Sequence, residues 1–550
     1  MKLKFLLLAL MFCGALTITL SAVDFAGNED EKTLASKLID AMSDEEALAQ
    51  TFMFGWYEGV EAPLPLIEEW IRRRRIGGVK VFGRNTTDIT RLARTIGNFQ
   101  RLALGHAAHI PLFVATDQEG GLVQHVRDET SRTPGAMAIG AAGFPEDAYR
   151  AGFYIGRELS LLGINMNFAP TVDLFTNHDS ILIGPRSFGD DPVKTGILAA
   201  AFARGQLSAG IIPTAKHFPG HGDTALDSHG VLPLINADFD TLWERELIPY
   251  RMLIKERIPA VMSGHIAFPN TKAKKTPASL SPWFIGEVLR EKLGFDGLVI
   301  TDDLWMNGAT MSAGSLSDAA KQALLAGNDI IMISETPMLD APLWTNLTRS
   351  MREDGEFKKQ VRRAAQNVVR AKLRHLRGNH AVPVIPDTAR LRSGIPDRDG
   401  ATFFQDLAVR SATTVMSKEG AFPLPAARAG RVFLPGQNLD FFKAGRFAYP
   451  GARSYWYEAP ASGELIATAR DSDTIIFYLK SSEGLEVLRA LQPLGKRIIV
   501  LSVLSPVHLK QLSWVDGAVA VYSDSYESLV AAFAAITGTV TPTGTIPFKF

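Results

Sequence analysis

Residues 210–224 read GIIPTAKHFPGHGDT, an apolar run followed at once by a polar loop. The run Gly210–Ala215 has the composition of a short buried strand. The loop begins with Lys216 and His217 and continues to Asp227-Ser228-His229, so histidines, aspartates and a lysine lie within fourteen residues. In folds made of strand–helix repeats, catalytic groups collect where strands end. The stretch therefore predicts a parallel α/β fold with a functional loop after one of its strands.

Eight runs of this kind recur along the first 335 residues. Each is almost continuously apolar, as a strand covered on both faces requires. Helical segments such as Pro145–Leu162 and Thr241–Arg257 separate most of them. The repeats predict a (β/α)8 TIM-type barrel, and a doubly wound open sheet is the alternative. The predicted strands are Gln50–Phe54, Gly78–Phe82, Leu112–Thr116, Asn165–Pro170, Gly210–Ala215, Ala260–Ser263, Leu298–Thr301 and Asp329–Ile333.

A second domain is predicted after the barrel, which we place at residues 30–378. A helix from about Asp354 to Leu376 precedes Gly378, a typical helix stop, and the proline-containing stretch 379–400 reads as a linker. Residues 401–550 predict a smaller α/β sandwich domain with a mainly parallel sheet. We expect it to serve support, dimerisation or polymer contact. Its predicted strands are Thr413–Met416, Val432–Pro435, Thr474–Leu479, Ile498–Val503 and Ala518–Tyr522.

The first 22 residues have the pattern of a signal peptide. Lys2 and Lys4 precede an apolar run that is too short for a convincing membrane span, and a small-residue cleavage site ends at Ala22. An uncleaved anchor is the alternative. The only cysteine, Cys13, lies inside this segment after a bulky Phe12, which is a poor lipidation signal. We therefore expect an exported, periplasmic or extracellular bacterial protein whose mature chain has no thiol and no membrane span.

The composition excludes several classes of function. Hydrophobic residues make up 46% and charged residues 21% of the chain, which suits a large core and argues against disorder. The 58 lysines and arginines balance 58 acidic residues, and without a basic block we expect no nucleic-acid partner. The chain lacks a Gly-x-Ser-x-Gly elbow and a phosphate-binding loop. We expect no cofactor, and a monomer or homodimer.

Polar residues stand directly after five of the predicted barrel strands. In a barrel, the carboxyl ends of all strands open on one face, so these side chains are expected to meet at one mouth. This convergence indicates an enzyme. The residues are Asp117 and Glu119 after the third strand, Asp173 after the fourth, Lys216 and His217 after the fifth, His265 after the sixth, and Asp302 and Asp303 after the seventh.

Two of these motifs have the residue types for acid–base or nucleophilic chemistry. Neighbouring side chains on a strand point to opposite faces, so only one of Asp302 and Asp303 can face the barrel axis, and spacing does not say which. His229 can exchange a proton near neutral pH, and Asp227 could fix its tautomer. The alternatives are a helix cap or salt bridge for the aspartate pair and a simple turn for Asp227-Ser228-His229.

Other residues have the chemistry for binding a polar ligand. Lys216 and His217 can donate hydrogen bonds to hydroxyl groups, Arg186 offers a bidentate fork, and Asp117 could accept from a pair of vicinal hydroxyls. A zinc site of His217, His221, Asp227 and His229 is the competing interpretation. Because Pro219 and Gly220 interrupt the spacing of the first two histidines, we expect no metal.

Five motifs follow one another along residues 35–375. They are Asp117-Gln118-Glu119-Gly120-Gly121, Arg186-Ser187-Phe188-Gly189, Lys216-His217-Phe218-Pro219-Gly220-His221-Gly222, Asp227-Ser228-His229 and Thr301-Asp302-Asp303. This combination resembles the bacterial β-N-acetylglucosaminidases of glycoside hydrolase family 3. The resemblance implies an exo-acting retaining hydrolase that removes terminal N-acetylglucosamine from peptidoglycan fragments or chitooligosaccharides. It also implies Asp302 as nucleophile, His229 as acid/base oriented by Asp227, and Asp117, Arg186, Lys216 and His217 as sugar-binding residues.

The chain departs from the family pattern at two positions. The pattern reads Asp-Gln-Glu-Gly-Gly-Arg-Val-x-Arg, and Leu122 and His125 stand where it has the two arginines. The second arginine helps to bind the sugar, so either His125 takes its place or Arg127 reaches in. A family 3 phosphorylase or β-glucosidase is the alternative enzyme. The missing arginine also leaves open a non-catalytic sugar-binding protein.

Overall fold

The computed structural model describes residues 23–57, 65–127, 129–180, 182–226, 228 and 230–550. The predicted signal peptide, residues 1–22, and the predicted dyad of Asp227 and His229 lie outside these residues. No helix in the described part of the chain is long and apolar enough to cross a membrane.

An eight-stranded parallel sheet forms the first domain and curls into a nearly closed barrel. Its order is β8-β1-β2-β3-β4-β5-β6-β7, and a bridge between Ile300 and Ile330 joins the two ends. The predicted barrel is therefore confirmed, and the open-sheet alternative is wrong. The strands are β1 Phe52–Gly55, β2 Gly78–Val81, β3 Phe113–Thr116, β4 Met166–Asn167, β5 Ile212–Phe218, β6 Ala260–Ser263, β7 Leu298–Thr301 and β8 Ile331–Ile333.

Strand β5 is longer than its apolar run predicts. The run ends at Ala215, but Thr171 forms a bridge with Lys216, and Phe218 pairs with Ser263 of β6. Lys216 and His217 therefore stand on the strand itself and not on the loop after it. A strand position fixes a side chain more firmly than a loop position does, because both neighbouring strands hold the backbone.

Helices surround the barrel on its outer side. Glu31–Asp40 and Asp44–Gln50 open the domain, and Gly355–His375 closes it near the predicted bounds. The other α-helices are Pro65–Glu69, Ile89–Leu104, Ala136–Ala142, Pro145–Leu161, Pro192–Ser208, Phe239–Glu244, Leu247–Lys255, Asn307–Ala313, Leu316–Ala326 and Pro342–Glu353. Trp70–Arg74 and Trp283–Lys292 are π-helical, Gly83–Asn85, Gly184–Arg186 and Ala278–Leu280 are 3-10 turns, and Gln118–Gly120 pairs with Val123–Gln124 as a short hairpin.

The barrel interior is apolar along its floor and polar at its mouth. Side chains alternate along each strand, so Phe52 and Phe54 pack outward against helices while Met53 points inward. Met53, Phe113, Phe168 and Met332 belong to one buried apolar cluster inside the sheet. This packed floor closes the barrel below the polar groups and gives them a rigid base.

The second domain is a six-stranded sheet of order β9-β14-β13-β12-β10-β11, parallel except for β9. Apolar clusters lie on both of its faces, so the predicted sandwich is confirmed. The strands are β9 Thr413–Ser417, β10 Val432–Gly436, β11 Arg453–Trp456, β12 Thr474–Leu479, β13 Arg497–Ser502 and β14 Gly517–Ala520. Its α-helices are Arg398–Ser411, Ala426–Ala429, Leu439–Ala448, Gly463–Arg470, Ser482–Leu491 and Tyr526–Thr537.

Several segments attach the second domain to the barrel, among them the helix Arg398–Ser411, whose Phe403, Phe404 and Leu407 pack into the barrel's apolar cluster. Within the predicted linker, Leu391 and Ile395 pack into the barrel's own apolar cluster. Residues 544–549, here called the return segment, run back along the barrel: the amide of Thr545 donates to the carbonyl of Ala141 at 3.0 Å. Phe548 packs edge-on against Phe175 with ring centroids 5.0 Å apart. The second domain is thus held at both its first and its last residues.

Candidate active site

A row of five ions with alternating charge crosses the barrel mouth. Lys80 Nζ lies 2.6 Å from Asp117 Oδ2, and Lys216 Nζ lies 2.5 Å from Asp117 Oδ1. Lys216 Nζ also lies 2.6 Å from Glu119, whose carboxylate accepts a bidentate pair of bonds from Arg186 at 2.7 and 2.9 Å. We call these five residues the ion row. Its residues lie on or after four neighbouring strands, β2 to β5, and Asp117, Glu119 and Lys216 are among those expected to meet at the mouth.

The ion row keeps its carboxylates ionised. Burial alone would raise the pKa of Asp117, but the charges of Lys216 and Lys80 hold it well below its usual range. Burial acts in the same direction on Glu119, and there Arg186 and Lys216 lower the pKa to about 2. Both carboxylates therefore accept hydrogen bonds at any pH at which the protein would work, which is what binding a sugar hydroxyl requires.

His217 is fixed by the carboxylate of Asp173. The His217 Nδ1 atom lies 2.7 Å from Asp173 Oδ2, and the backbone amides of His217 and His221 also donate to this carboxylate. Burial would raise the pKa of Asp173, but His217 and His221 lower it to about 2. Since Asp173 holds Nδ1, the His217 Nε2 atom is the nitrogen that can serve a ligand.

The adjacent residues Asp302 and Asp303 have different contacts in the structure. Asp303 Oδ1 accepts hydrogen bonds from the backbone amides of Trp305 and Ser334, both at 3.0 Å. Asp303 therefore ties the end of β7 to the end of β8. Asp302 is the partner that lies near His217, His265 and Lys216: burial would raise its pKa, but the electrostatic influence of these side chains lowers it. An ionised, partly desolvated carboxylate of this kind is suited to nucleophilic attack.

The loop after β5 is held tightly up to its predicted dyad. A side chain at Gly222 would place its Cβ 1.6 Å from the carbonyl of Leu174, so only glycine fits there. Buried Ser228 lies with its Oγ 3.3 Å from His221 Nε2. Asp227 and His229, on either side of Ser228, are outside the described residues, so their predicted role stays a prediction.

His125 contacts a residue of the ion row, whereas Arg127 contacts the hairpin. His125 Nε2 lies 3.5 Å from Asp117 Oδ2, and burial together with Lys80 lowers the pKa of the imidazole. Arg127 donates to the carbonyls of Gln124 and Leu122 within the hairpin, so it does not replace the missing arginine. Leu122 is 40% exposed. Of the two compensations considered from the sequence, only the one by His125 has a contact at the site.

Sequence reasoning missed Lys80. It lies inside the apolar run Gly78–Phe82 and not after a strand end, where the other candidate residues stand. The available signal was a lone charge in the middle of a strand that must be buried on both faces, because an unpaired buried charge is costly. Among the described residues, no group of three or more His, Cys, Asp or Glu side chains is arranged to hold a metal ion. Two members of the zinc alternative, Asp227 and His229, are not among these residues.

A model of the glycosyl hydrolase family 3 N-terminal domain matches residues 40–371. The chain belongs to glycosyl hydrolase family 3. The matched range covers all eight barrel strands and every residue of the ion row.

Several curated proteins to which the chain is similar are β-hexosaminidases. The β-hexosaminidase of Tolumonas auensis is 37% identical over 267 residues, which are 48% of this chain and 77% of that protein. β-Hexosaminidase A of Pseudoalteromonas piscicida is 35% identical over 285 residues, 49% of this chain and 47% of that protein. The chain therefore spans about half the length of the second relative. The sequence resemblance to this family is confirmed.

A solved family 3 structure matches both domains. The β-N-acetylglucosaminidase of Paenibacillus sp. str. FPU-7 superposes with a TM-score of 0.82 and 28% sequence identity, covering 92% of this chain and 99% of that chain. The pairing of the barrel with a second α/β domain is thus shared with a known family 3 enzyme.

Proposed function

We propose that the protein is an exo-acting retaining glycoside hydrolase that removes terminal β-linked N-acetylglucosamine. The observation that carries the proposal is the placement of ionised Asp302 beside the ion row at a single barrel mouth. The names of the curated relatives and of the Paenibacillus enzyme support the choice of sugar.

The mouth offers complementary groups for one terminal sugar. Asp117 accepts hydrogen bonds from two hydroxyl groups, Arg186 and Lys216 donate to sugar oxygens, and the Nε2 atom of His217 forms a hydrogen bond with a sugar hydroxyl, which can both donate and accept. These side chains hold one another in place before the substrate binds, so binding costs little side-chain conformational entropy. The exo mode of action, in which the pocket receives the end of a chain, rests on the resemblance to the family 3 β-N-acetylglucosaminidases.

The reaction proceeds in two displacement steps. In the first, Asp302 attacks the anomeric carbon, the bond to the leaving oxygen breaks, and His229 gives that oxygen a proton. In the second, His229 takes a proton from a water molecule, which attacks the anomeric carbon and releases Asp302. Asp227 orients His229 in both steps. Two inversions at the same carbon give net retention.

We place the enzyme outside the cytoplasm. The pattern of residues 1–22 supports export, and the lack of cysteine after Cys13 suits an oxidising compartment. Peptidoglycan fragments or chitooligosaccharides are then the accessible substrates with terminal N-acetylglucosamine.

The deciding experiment compares release of p-nitrophenol from its β-N-acetylglucosaminide and its β-glucoside, each with and without phosphate. We expect turnover of the N-acetyl sugar that phosphate does not change. Turnover that requires phosphate would instead assign a phosphorylase, preference for the glucoside would assign a β-glucosidase, and binding without turnover would leave a sugar-binding protein.

A pair of variants links the activity to the proposed nucleophile. We expect Asp302→Asn to lower kcat by at least about a thousandfold, because the amide cannot form the glycosyl-enzyme. Asp296→Asn is the matched control: this exposed aspartate lies just before the opposite end of the same strand, β7. Equal activity of the two variants would contradict the assignment of Asp302.

A further inference from the structure

Lys80 is a fully buried lysine in the wall of the barrel. It lies in the middle of β2, and none of its surface is exposed. Burying an ammonium group is costly unless other groups replace its water, and burial does lower the pKa of this lysine. A lysine at such a position therefore calls for a reason beyond packing, since an aliphatic side chain would fill the same space without that cost.

The contacts of Lys80 use all three donor directions of its ammonium group. Its Nζ lies 2.6 Å from Asp117 Oδ2 and 3.2 Å from the carbonyl oxygen of Val81. The third direction is covered by aromatic faces, with Nζ 4.1 Å from the centroid of Phe82 and 5.4 Å from that of Phe168. Lys80 has neither the exposure nor a donor left for a ligand, so it can act on one only through Asp117.

Asp117 needs a second cation. Its first partner, Lys216, is shared with Glu119, and Glu119 has Arg186 as a second partner of its own. Lys80 completes the symmetry of the ion row, because it places Asp117 between two cations just as Glu119 lies between Lys216 and Arg186. Without Lys80, one shared lysine would have to hold both carboxylates.

We propose that Lys80 is the positioning residue that keeps the Asp117 carboxylate ionised and correctly oriented for the sugar, in place of a cation at position 125. His125 Nε2 approaches the same oxygen, Asp117 Oδ2, at 3.5 Å. An arginine side chain at that position would reach Asp117 from the mouth side, whereas Lys80 reaches it from the wall. The role in sugar binding rests on the function proposed above, but the pairing with Asp117 does not depend on which sugar binds.

The test is an exchange of the cation between the two positions. We expect Lys80→Met to raise KM by about tenfold to a hundredfold, the loss that corresponds to one charge-assisted hydrogen bond, with a smaller change in kcat. The acidic limb of kcat/KM should move to higher pH, because Asp117 without Lys80 is protonated more easily. The double variant Lys80→Met/His125→Arg should regain at least tenfold in KM over Lys80→Met, and His125→Arg alone should not improve on the wild type.

Lys372→Met is the matched control. Lys372 is also fully buried, but it lies at the floor of the barrel with Gln50 as its hydrogen-bond partner at 3.0 Å. This variant should leave KM and the acidic limb unchanged. A folded Lys80→Met protein with wild-type KM and pH profile would overturn the proposal, as would a double variant no better than Lys80→Met. If Lys80→Met does not fold, Lys80→Gln keeps an N–H donor without the charge. Its KM and pH profile are then compared with and without His125→Arg.

A second measurement separates this proposal from the proposed function. If the wild type hydrolyses neither p-nitrophenyl sugar, the function fails, and the same variants are compared by calorimetric binding of N-acetylglucosamine and of glucose. The Lys80 proposal then requires weaker binding by Lys80→Met and recovery in the double variant for whichever sugar the wild type binds. Equal affinities, or binding of neither sugar, would overturn it.

Discussion

Asp302 and Asp303 are adjacent residues that carry the same carboxyl group in different surroundings. Asp302 lies beside the imidazoles of His217 and His265, while Asp303 accepts hydrogen bonds from two backbone amides that belong to different segments. Chemistry at a residue is set by such neighbours and not by residue type alone. The two positions should therefore respond differently to substitution.

We expect Asp303→Ala to act mainly on stability. The change leaves the backbone amides of Trp305 and Ser334 without an acceptor, at a cost of about 1–3 kcal/mol. Thermal unfolding should show a lower Tm, and kcat should fall far less than in Asp302→Asn. An Asp303→Ala protein with wild-type Tm and no activity would reverse the assignment of the two aspartates.

Contacts between distant residues also decide which features of the site could be predicted from the sequence. Asp302 and Asp303 were recognised together, but their orientation depends on contacts with β6 and β8 that spacing does not contain. Lys80 was overlooked because its partner, Asp117, is 37 positions away in the sequence. Pairing across such a distance becomes visible only when the barrel brings β2 and β3 side by side.

At the scale of elements, the sequence predicts all eight barrel strands but misses one strand of the second domain. Barrel strands are covered on both faces, so each leaves a continuous apolar run. Strand β11, Arg453–Trp456, lies at the edge of its sheet, and its residues are half-buried or exposed. The other edge strand, β9, keeps the apolar residues Val415 and Met416 after two threonines, whereas β11 begins with Arg453 and Ser454 and leaves no such run. The sequence prediction therefore has five strands where the structure has six.

The last helix of the barrel domain, Gly355–His375, carries a buried base. Burial lowers the pKa of Lys372 from its ordinary value of 10.5 to about 7. Between pH 7 and 10.5 the unfolded chain binds a proton that the folded protein does not, so stability from this residue increases as the pH rises. Below pH 7 both states are protonated and the full cost of the buried charge remains.

We expect Lys372→Met to remove this dependence. The variant should be more stable than the wild type at pH 6–7, and the difference should shrink toward pH 10 by at most about 1.4 kcal/mol per pH unit. Chemical unfolding at a series of pH values measures it. A stability difference that is constant from pH 6 to 10 would show that Lys372 stays protonated in the folded protein.

At the scale of the whole molecule, the two domains are joined near the mouth. Phe548 of the return segment packs against Phe175, which follows Asp173 by two residues, and against His178. Asp173 in turn holds His217. The attachment of the second domain therefore bears on the position of a predicted sugar-binding residue.

We expect Phe548→Ala to loosen this joint. Truncating a buried phenylalanine costs about 3–5 kcal/mol, and here the loss falls on the contact between domains. Scanning calorimetry should show one unfolding transition separating into two, and KM should increase. Phe550→Ala is the control, since that ring is 48% exposed. A single, unshifted transition in Phe548→Ala would show that the other contacts between the domains couple them without Phe548.

The return segment also has a consequence for synthesis on the ribosome. Domains generally fold as units in the order in which they are made, so the barrel is complete long before residues 544–549 are translated. Until then the surface beside Ala141 and Phe175 has no occupant from the return segment. A nascent protein of this kind would pass through a stage in which a finished barrel is joined to the second domain only through earlier residues such as Leu391 and Ile395, and chaperones or proteases would then have access to the apolar surface that Phe548 later covers.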